Sequence, residues 1–148
     1  MRLKHIIKTA DGLRAKRRIA AVGTAGVLAC GAVIAVPGTA QAAASYNGAC
    51  GAGYGVIDQM DLGADGRVFL TYSSATGKNC VVTMRNVVGP KEPMQAMISI
   101  SGVPNSSVMD YGSYTSYAGP VYLYARGSCV DWSGFFRLER VRYNDHCG

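Results

Sequence analysis

Downstream of residue 54, short runs of alternating apolar and polar residues are separated by Gly, Ser and Asn. A period of two is typical of β-strands that turn one side toward a core, and no helical spacing stands out. The pattern predicts seven strands: Gly55–Leu62, Arg67–Ser73, Asn79–Arg85, Gln95–Ser101, Pro120–Arg126, Ser128–Ser133 and Phe135–Tyr143. We therefore expect an all-β domain, built as a small antiparallel sandwich or barrel.

Turn-forming residues separate these runs. Asp65-Gly66 and Gly77 predict tight turns that join the first three strands into an antiparallel meander. Two prolines predict a loop over Asn86–Met94, because proline cannot donate to a β-ladder. The Tyr-, Gly- and Ser-rich stretch Val108–Gly119 is predicted to be irregular, and Gly134 to join the last two strands as a hairpin.

The first 42 residues have a different pattern. A basic segment is followed by an apolar stretch and then by the small-residue sequence Ala40-Gln41-Ala42. This order is typical of an export signal, and it predicts a helical signal peptide over 1–42, cleavage after Ala42 and one secreted β domain over 43–148. Two alternatives stay open: Cys30 loosely resembles a lipid-attachment site, and the apolar stretch is a marginal membrane span.

The predicted signal carries all of the net positive charge. Seven of the 15 Lys and Arg residues and one of the nine acidic residues lie in it, which leaves eight of each in 43–148. The secreted domain is therefore formally neutral. This balance argues against a nucleic-acid partner and, after signal removal, against binding to a membrane.

Four cysteines remain once the signal is removed. An even number in a small exported domain predicts two disulfides, for which three pairings exist. In the predicted meander, Cys50 and Cys80 lie at the same end, and in the last hairpin Cys129 and Cys147 do so. The topology therefore favours Cys50–Cys80 and Cys129–Cys147.

No catalytic pattern stands out, so we expect no catalytic residue. His146, the only histidine of the domain, lacks a nucleophile-elbow motif and is interpreted as a solvated terminal residue. With one histidine and no Cys-X-X-Cys, we also expect no metal and no cofactor. Asp58, Asp61 and Asp65 are interpreted as solvated, turn-favouring acids.

The tyrosines are a more distinctive feature than the candidate catalytic residues, because all nine of them lie in the predicted domain. Tyr111, Tyr114 and Tyr117 recur at every third position among small polar residues, a composition typical of adaptable binding surfaces. The predicted binding residues are Tyr111, Tyr114, Tyr117, Tyr122, Tyr124 and Trp132. The alternative is that these rings pack locally and cover a sheet edge.

Six segments together resemble one known family: YNGACGAGY at 46–54, FLTY at 69–72, NCVVT at 79–83, YTSYAGPVY at 114–122, GSCVDW at 127–132 and the final HCG. They are similar to the spore-associated protein A family, small exported proteins of filamentous spore-forming actinobacteria. The resemblance implies secretion and association with the spore or aerial-hyphal surface. It supplies no catalytic residues.

We therefore expect a secreted, non-enzymatic protein of the spore or cell surface, whose Tyr-rich face binds an envelope glycan. Two alternatives remain. A protease inhibitor would present the loop Val87–Met94, in which prolines flank Lys91 and Glu92. A small hydrolase would use Asp58 or Asp131 and would need carboxylates that converge on a concave site.

Overall fold

The computed structural model describes residues 42–148, which contain eight strands and no helix. The strands are β1 (Gly55–Asp61), β2 (Gly66–Ser73), β3 (Lys78–Arg85), β4 (Glu92–Ile100), β5 (Val108–Tyr114), β6 (Tyr117–Tyr124), β7 (Val130–Phe136) and β8 (Leu138–Asp145). The all-β prediction is confirmed. The predicted signal helix, the basic segment and Cys30 lie outside the described residues.

The strands form two four-stranded sheets. Sheet A has the order β1-β2-β3-β6 and sheet B the order β5-β4-β7-β8. Every pairing is antiparallel, and β1, β2 and β3 form the predicted meander. Because each sheet turns one apolar side toward the other, the result is a sandwich rather than a closed barrel.

The core lies between the two sheets. Leu70 of β2 and Val81 of β3 meet Ile98 of β4 and Trp132 of β7, and all four are fully buried. Burying one side chain of this size contributes about 1.5–3 kcal/mol relative to leaving it exposed. The alternation that predicted the strands therefore also identifies their inward sides.

A second cluster covers the outward side of sheet A. There the N-terminal strap, defined here as residues 44–54, lies over Phe69, Val82 and Met84. The ring of Tyr46 is 5.7 Å from the ring of Phe69, measured between centroids. Since sheet A is covered on both sides, β2 and β3 are apolar in both directions, as strands with two buried faces are.

Two disulfides are present, Cys50–Cys80 and Cys129–Cys147, and they are the pairs that the predicted topology favours. The first attaches the strap to β3. The second attaches the chain after β8 to the residue before β7. Within residues 42–148 there is no helix of the length and apolarity needed to cross a bilayer.

The irregular structure predicted for Val108–Gly119 is wrong, because this stretch forms β5 and the beginning of β6. The inward positions of β5 are Val108, Asp110, Gly112 and Tyr114, and the first three lie opposite β4 residues that are fully buried. Such a mixture lacks the apolar alternation that identifies a half-buried strand. Pairing with β4 nevertheless keeps the segment extended.

The predicted turn at Gly134 is also wrong. β7 continues through Gly134, and the chain reverses at Arg137, which has a positive φ of 59°. A Cβ on Gly134 would lie 2.4 Å from Thr83 Oγ1 and 2.5 Å from Val68 Cβ. Glycine is therefore needed here for close approach of the two sheets, rather than for a turn.

The predicted loop Asn86–Met94 is shorter than expected, because β4 already begins at Glu92. Pro93 is accommodated because β4 pairs with β7 only from Gln95 onward. At Pro93 the strand has a neighbour on one side alone, and proline is tolerated at such an edge position.

Candidate functional site

The candidate site is the outward side of sheet B, called here the open face. Its residues are Gln95, Met97, Met109, Tyr111, Asp131, Ser133, Phe135, Glu139, Val141 and Tyr143. Tyr143 is 71 % exposed, Tyr111 61 % and Met109 57 %. Neither hydrophobic cluster of residues 42–148 lies over this side, whereas the strap covers the corresponding side of sheet A.

Strand register arranges the open face in two rows that cross all four strands. One row runs Met109, Met97, Ser133, Val141, and the next runs Tyr111, Gln95, Phe135, Glu139. Neighbouring strands are about 4.8 Å apart, so Tyr111 and Phe135, two strands from each other, are separated by about 10 Å. Rings therefore alternate with hydrogen-bonding side chains along one row.

Charge on the open face is negative or absent. None of its residues is Lys or Arg, and its two acids are Asp131 and Glu139. Asp131 accepts hydrogen bonds from Ser101 Oγ at 2.5 Å and from the Asn144 backbone N–H at 2.8 Å. A surface of this kind suits a neutral, hydroxyl-rich partner and repels a polyanion.

The six predicted binding residues do not share one surface. Tyr111 alone lies on the open face, while Tyr117, Tyr122 and Tyr124 point outward from sheet A. Trp132 is fully buried in the core, so its assignment to a binding surface is wrong. Its indole N–H donates to Asp145 Oδ2 at 3.1 Å, which satisfies the one polar atom of the buried ring.

Tyr122 and Tyr114 have structural contacts. The Tyr122 hydroxyl donates to the carbonyl oxygen of Cys50 at 3.1 Å, and burial raises the pKa of this phenol. Tyr114 donates to the Asp110 carboxylate, and this hydrogen bond, together with burial, raises the pKa of Tyr114. Asp110 also accepts from the backbone N–H of Gly119 at 2.6 Å, so it links β5 to β6.

Sequence reasoning missed Phe135 and Tyr143 as members of the candidate site. The period of two within β7 and β8 separates the two sides of each strand, but it does not say which side is outward. That choice depends on Trp132 and Phe136 filling the core, which makes Phe135 an outward residue.

A cluster of charged residues joins the edge strands of the two sheets. Asp58 of β1 is paired with the Arg142 guanidinium of β8, and His146 Nε2 lies 3.1 Å from Asp58 Oδ2 and 3.7 Å from Asp145 Oδ2. His146 is therefore a paired residue, and its interpretation as a solvated one is wrong. Burial alone would raise the pKa of Asp145, but the Trp132 N–H and the neighbouring cations outweigh it and lower that pKa.

Among the described residues, three potential metal ligands come together in the same cluster. Ligand atoms of Asp58, Asp145 and His146 lie within 4.8 Å of one another. However, the Arg142 guanidinium contacts Asp58 and lies 3.7 Å from Asp145 Oδ2, so its charge opposes a second cation. The arrangement is an ionic link between β1 and β8.

Comparison with known proteins gives one informative relative. Spore-associated protein A of Streptomyces coelicolor is 45 % identical over 128 residues, which cover 83 % of this chain and 82 % of that protein. The chain belongs to the spore-associated protein A family. No protein-family model and no solved structure matched it.

The name of the relative associates that protein with spores and specifies no ligand or reaction. In this member of the spore-associated protein A family, the open face is the candidate binding surface. The charged cluster links the edge strands of the two sheets, and the strap covers the outward side of sheet A but not the open face.

Proposed function

We propose that this spore-associated protein is secreted and attaches to the spore or cell envelope by binding a neutral glycan through the open face, without catalysing a reaction. The observation that carries the proposal is the exposure of Tyr111 and Tyr143 on the two edge strands of one uncovered sheet, with the half-buried ring of Phe135 on β7 between them. An exposed set of aromatic and apolar side chains of this kind is characteristic of interaction sites.

Secretion is supported by two independent features. Residues 1–42 have the order of an export signal, and the four cysteines of the domain are all paired. Disulfides persist in oxidising compartments and are rare in the cytosol. Both features are expected of a domain that folds outside the cell.

A glycan is the partner that best matches the chemistry of the open face. The C–H groups of a sugar ring pack against aromatic faces, and its hydroxyls bond to amide, hydroxyl and carboxylate groups. Gln95 and Glu139 supply such groups beside Phe135. The absence of Lys and Arg from the open face disfavours anionic polymers, which proteins bind mainly through cations.

Retention of the purified domain on isolated spore and cell walls tests this proposal. The variant Tyr111→Ser/Tyr143→Ser removes two exposed rings, each worth about 1 kcal/mol beyond area burial, so we expect roughly tenfold or greater weakening. Tyr124→Ser is the matched control, because Tyr124 is 57 % exposed but points outward from sheet A. Equal binding by the double variant and the wild type would overturn the proposal.

A second candidate function, protease inhibition, is favoured by the geometry of the loop between β3 and β4. Val88 is 71 % exposed at this loop. The loop is anchored by Arg85 Nη1, which donates to the Pro90 carbonyl oxygen at 2.7 Å, and by the Gly89 N–H, which donates to the Thr115 carbonyl oxygen at 3.1 Å. An exposed loop that is fixed by hydrogen bonds resembles the preorganised segment that an inhibitor presents to a protease.

A panel of secreted serine and cysteine proteases would separate the two candidates. An inhibitor stays intact in a stable complex, and Val88→Asp abolishes the inhibition. If the proteases cleave the loop and are not inhibited, protease inhibition is eliminated and envelope binding is the candidate function that remains.

A further inference from the structure

One row of the open face crosses the whole width of sheet B. It consists of Tyr111, Gln95, Phe135 and Glu139 and is called here the ring row; each residue in it lies directly opposite the next in the β-ladders. The ring row therefore runs at right angles to the strands and ends on the two edge strands, β5 and β8. Because no described strand lies beyond either edge, a polymer that follows the row can continue past both of its ends.

The side chains of the ring row repeat with a period of two strands. The rings of Tyr111 and Phe135 are about 10 Å apart, and the polar side chains of Gln95 and Glu139 alternate with them. Tyr111 is 61 % exposed, whereas Phe135 is half-buried. The Gln95 amide donates to Ser133 Oγ at 3.5 Å, which orients the amide and leaves its oxygen for a ligand.

An extended β-1,4-linked sugar chain has the same period. Successive sugars in such a chain are turned over, so the same face recurs at every second sugar, and this repeat is about as long as the separation of Tyr111 and Phe135. Sugar faces carry C–H groups that pack against aromatic rings, while the hydroxyls lie around the ring edge. A chain along the row therefore places alternate sugars on the two rings and the sugars between them over Gln95 and Glu139. An α-1,4-linked chain curves, and its sugars do not keep this register.

We propose, on the basis of the envelope-binding function above, that the ring row binds an internal segment of a neutral β-1,4-linked glycan whose chain runs across the strands. Tyr111 and Phe135 pack against two sugars of the same orientation, and Gln95 and Glu139 bond to hydroxyls. Charge favours a neutral chain, since Glu139 is the only charged residue of the row and would repel an anionic polymer.

The test is a titration of the purified, disulfide-bonded domain with short oligosaccharides, followed by amide chemical shifts. Cellotriose should bind at least about fivefold more tightly than cellobiose, because only the trisaccharide reaches both rings. Maltotriose is the matched control: it contains the same three glucose units joined by α-1,4 linkages, and it should bind at least about fivefold more weakly than cellotriose. Chitobiose and chitotriose form a second β-1,4 series, and the series that binds more tightly identifies whether a glucan or an acetylated amino-sugar chain is the source.

Variants of the exposed tyrosines show whether the length dependence comes from the ring row. Tyr111→Ser removes one of the two rings and should abolish the difference between disaccharide and trisaccharide. Tyr111→Phe keeps the ring and should preserve that difference. Tyr143→Ser is the matched control, because Tyr143 is 71 % exposed but lies four residues beyond Glu139 on β8, outside the row. It should also preserve the difference.

Three results would overturn this inference: no binding of either β-1,4 series, equal binding of cellotriose and maltotriose, or a length dependence that persists in Tyr111→Ser. Wall retention of Tyr111→Ser/Tyr143→Ser tests the proposed function separately. Retention that depends on these tyrosines, together with oligosaccharide binding that depends on neither linkage nor length, would overturn the inference and leave envelope binding by the open face standing. Retention that does not depend on them would overturn both.

Discussion

At the residue scale, close contacts between the sheets restrict individual positions to one residue type. Gly134 lies in the middle of β7, opposite the inward side chains of Val68 and Thr83. Thr83 is buried and donates through its hydroxyl to the Gln95 carbonyl oxygen at 2.6 Å, so it cannot swing away without losing that bond. The sheets approach closely here because one side chain is missing.

Replacing Gly134 with Ala should therefore destabilise the domain. Its Cβ would lie 2.4 Å from Thr83 Oγ1, and overpacking of this kind costs about 1–3 kcal/mol. Urea unfolding measures the loss. Gly55→Ala is the control, because a Cβ there meets no atom within 4 Å, and it should change stability little. Equal stability of the two variants would show that the sheets adjust without cost.

Tyr114 gives the domain an alkaline dependence of stability. The hydrogen bond to Asp110 raises the pKa of Tyr114 in the folded state above its ordinary value of 10.0. The folded state then holds a proton that the unfolded state releases. This contribution is complete below pH 10 and is lost as the pH rises through the folded-state value.

Urea unfolding between pH 7 and pH 11.5 tests this dependence. The wild type should be more stable than Tyr114→Phe at pH 7, and the difference should shrink above pH 10. Tyr124→Phe, whose phenol is exposed and forms no side-chain hydrogen bond among the described residues, should follow the wild type throughout. A difference that stays constant with pH would contradict the proposed proton linkage.

At the scale of elements, the apolar alternation predicts the strands whose inward side is uniformly apolar. β2 and β3 follow the predicted ranges to within one residue, and β4 contains most of its predicted range, since Val68, Leu70, Val81 and Ile98 mark their inward sides. β5 was not predictable in this way, because a carboxylate, a glycine and a tyrosine hydroxyl occupy its inward side. The candidate site could not be predicted from the sequence for a related reason. Its rings lie on β5, β7 and β8, and only the folded sheet shows how these strands align beside β4 and one another.

The N-terminal strap should depend on the Cys50–Cys80 disulfide. This bridge closes a loop of 30 residues, and the chain-entropy model gives about 3–4 kcal/mol for a loop of that size. Cys50→Ala/Cys80→Ala should lose about that amount in urea unfolding. It should also increase binding of an apolar dye, because Phe69 and Val82 lie beneath the strap.

The matched comparison is Cys129→Ala/Cys147→Ala, which opens a loop of 18 residues. It should cost about 3 kcal/mol but leave the strap in place, so dye binding stays low. If both pairs of substitutions increased dye binding equally, the strap would not be held by the disulfide that joins it to β3.

At the scale of the whole molecule, charge is balanced in number and sorted in position. Residues 43–148 contain eight basic and eight acidic residues, and the ion pairs concentrate at the edges and ends of the sandwich. Glu92 illustrates this sorting: hydrogen bonds from the Arg137 guanidinium lower the pKa of its carboxyl. The open face is left with rings, amides, hydroxyls and two acids.

This sorting predicts that envelope binding is almost independent of salt. Attraction between a protein and an anionic polymer weakens steeply with salt, by about 10³–10⁵ between 50 and 200 mM for a protein with 6–10 phosphate contacts. Packing of rings on neutral sugars involves no counterion release. We therefore expect wall retention of the purified domain to change less than about twofold over the same salt range, a change of less than about 0.4 kcal/mol. Retention that collapses at 200 mM salt would show that the acidic wall polymers bind Arg and Lys residues elsewhere on the domain, and that the open face is not the binding surface.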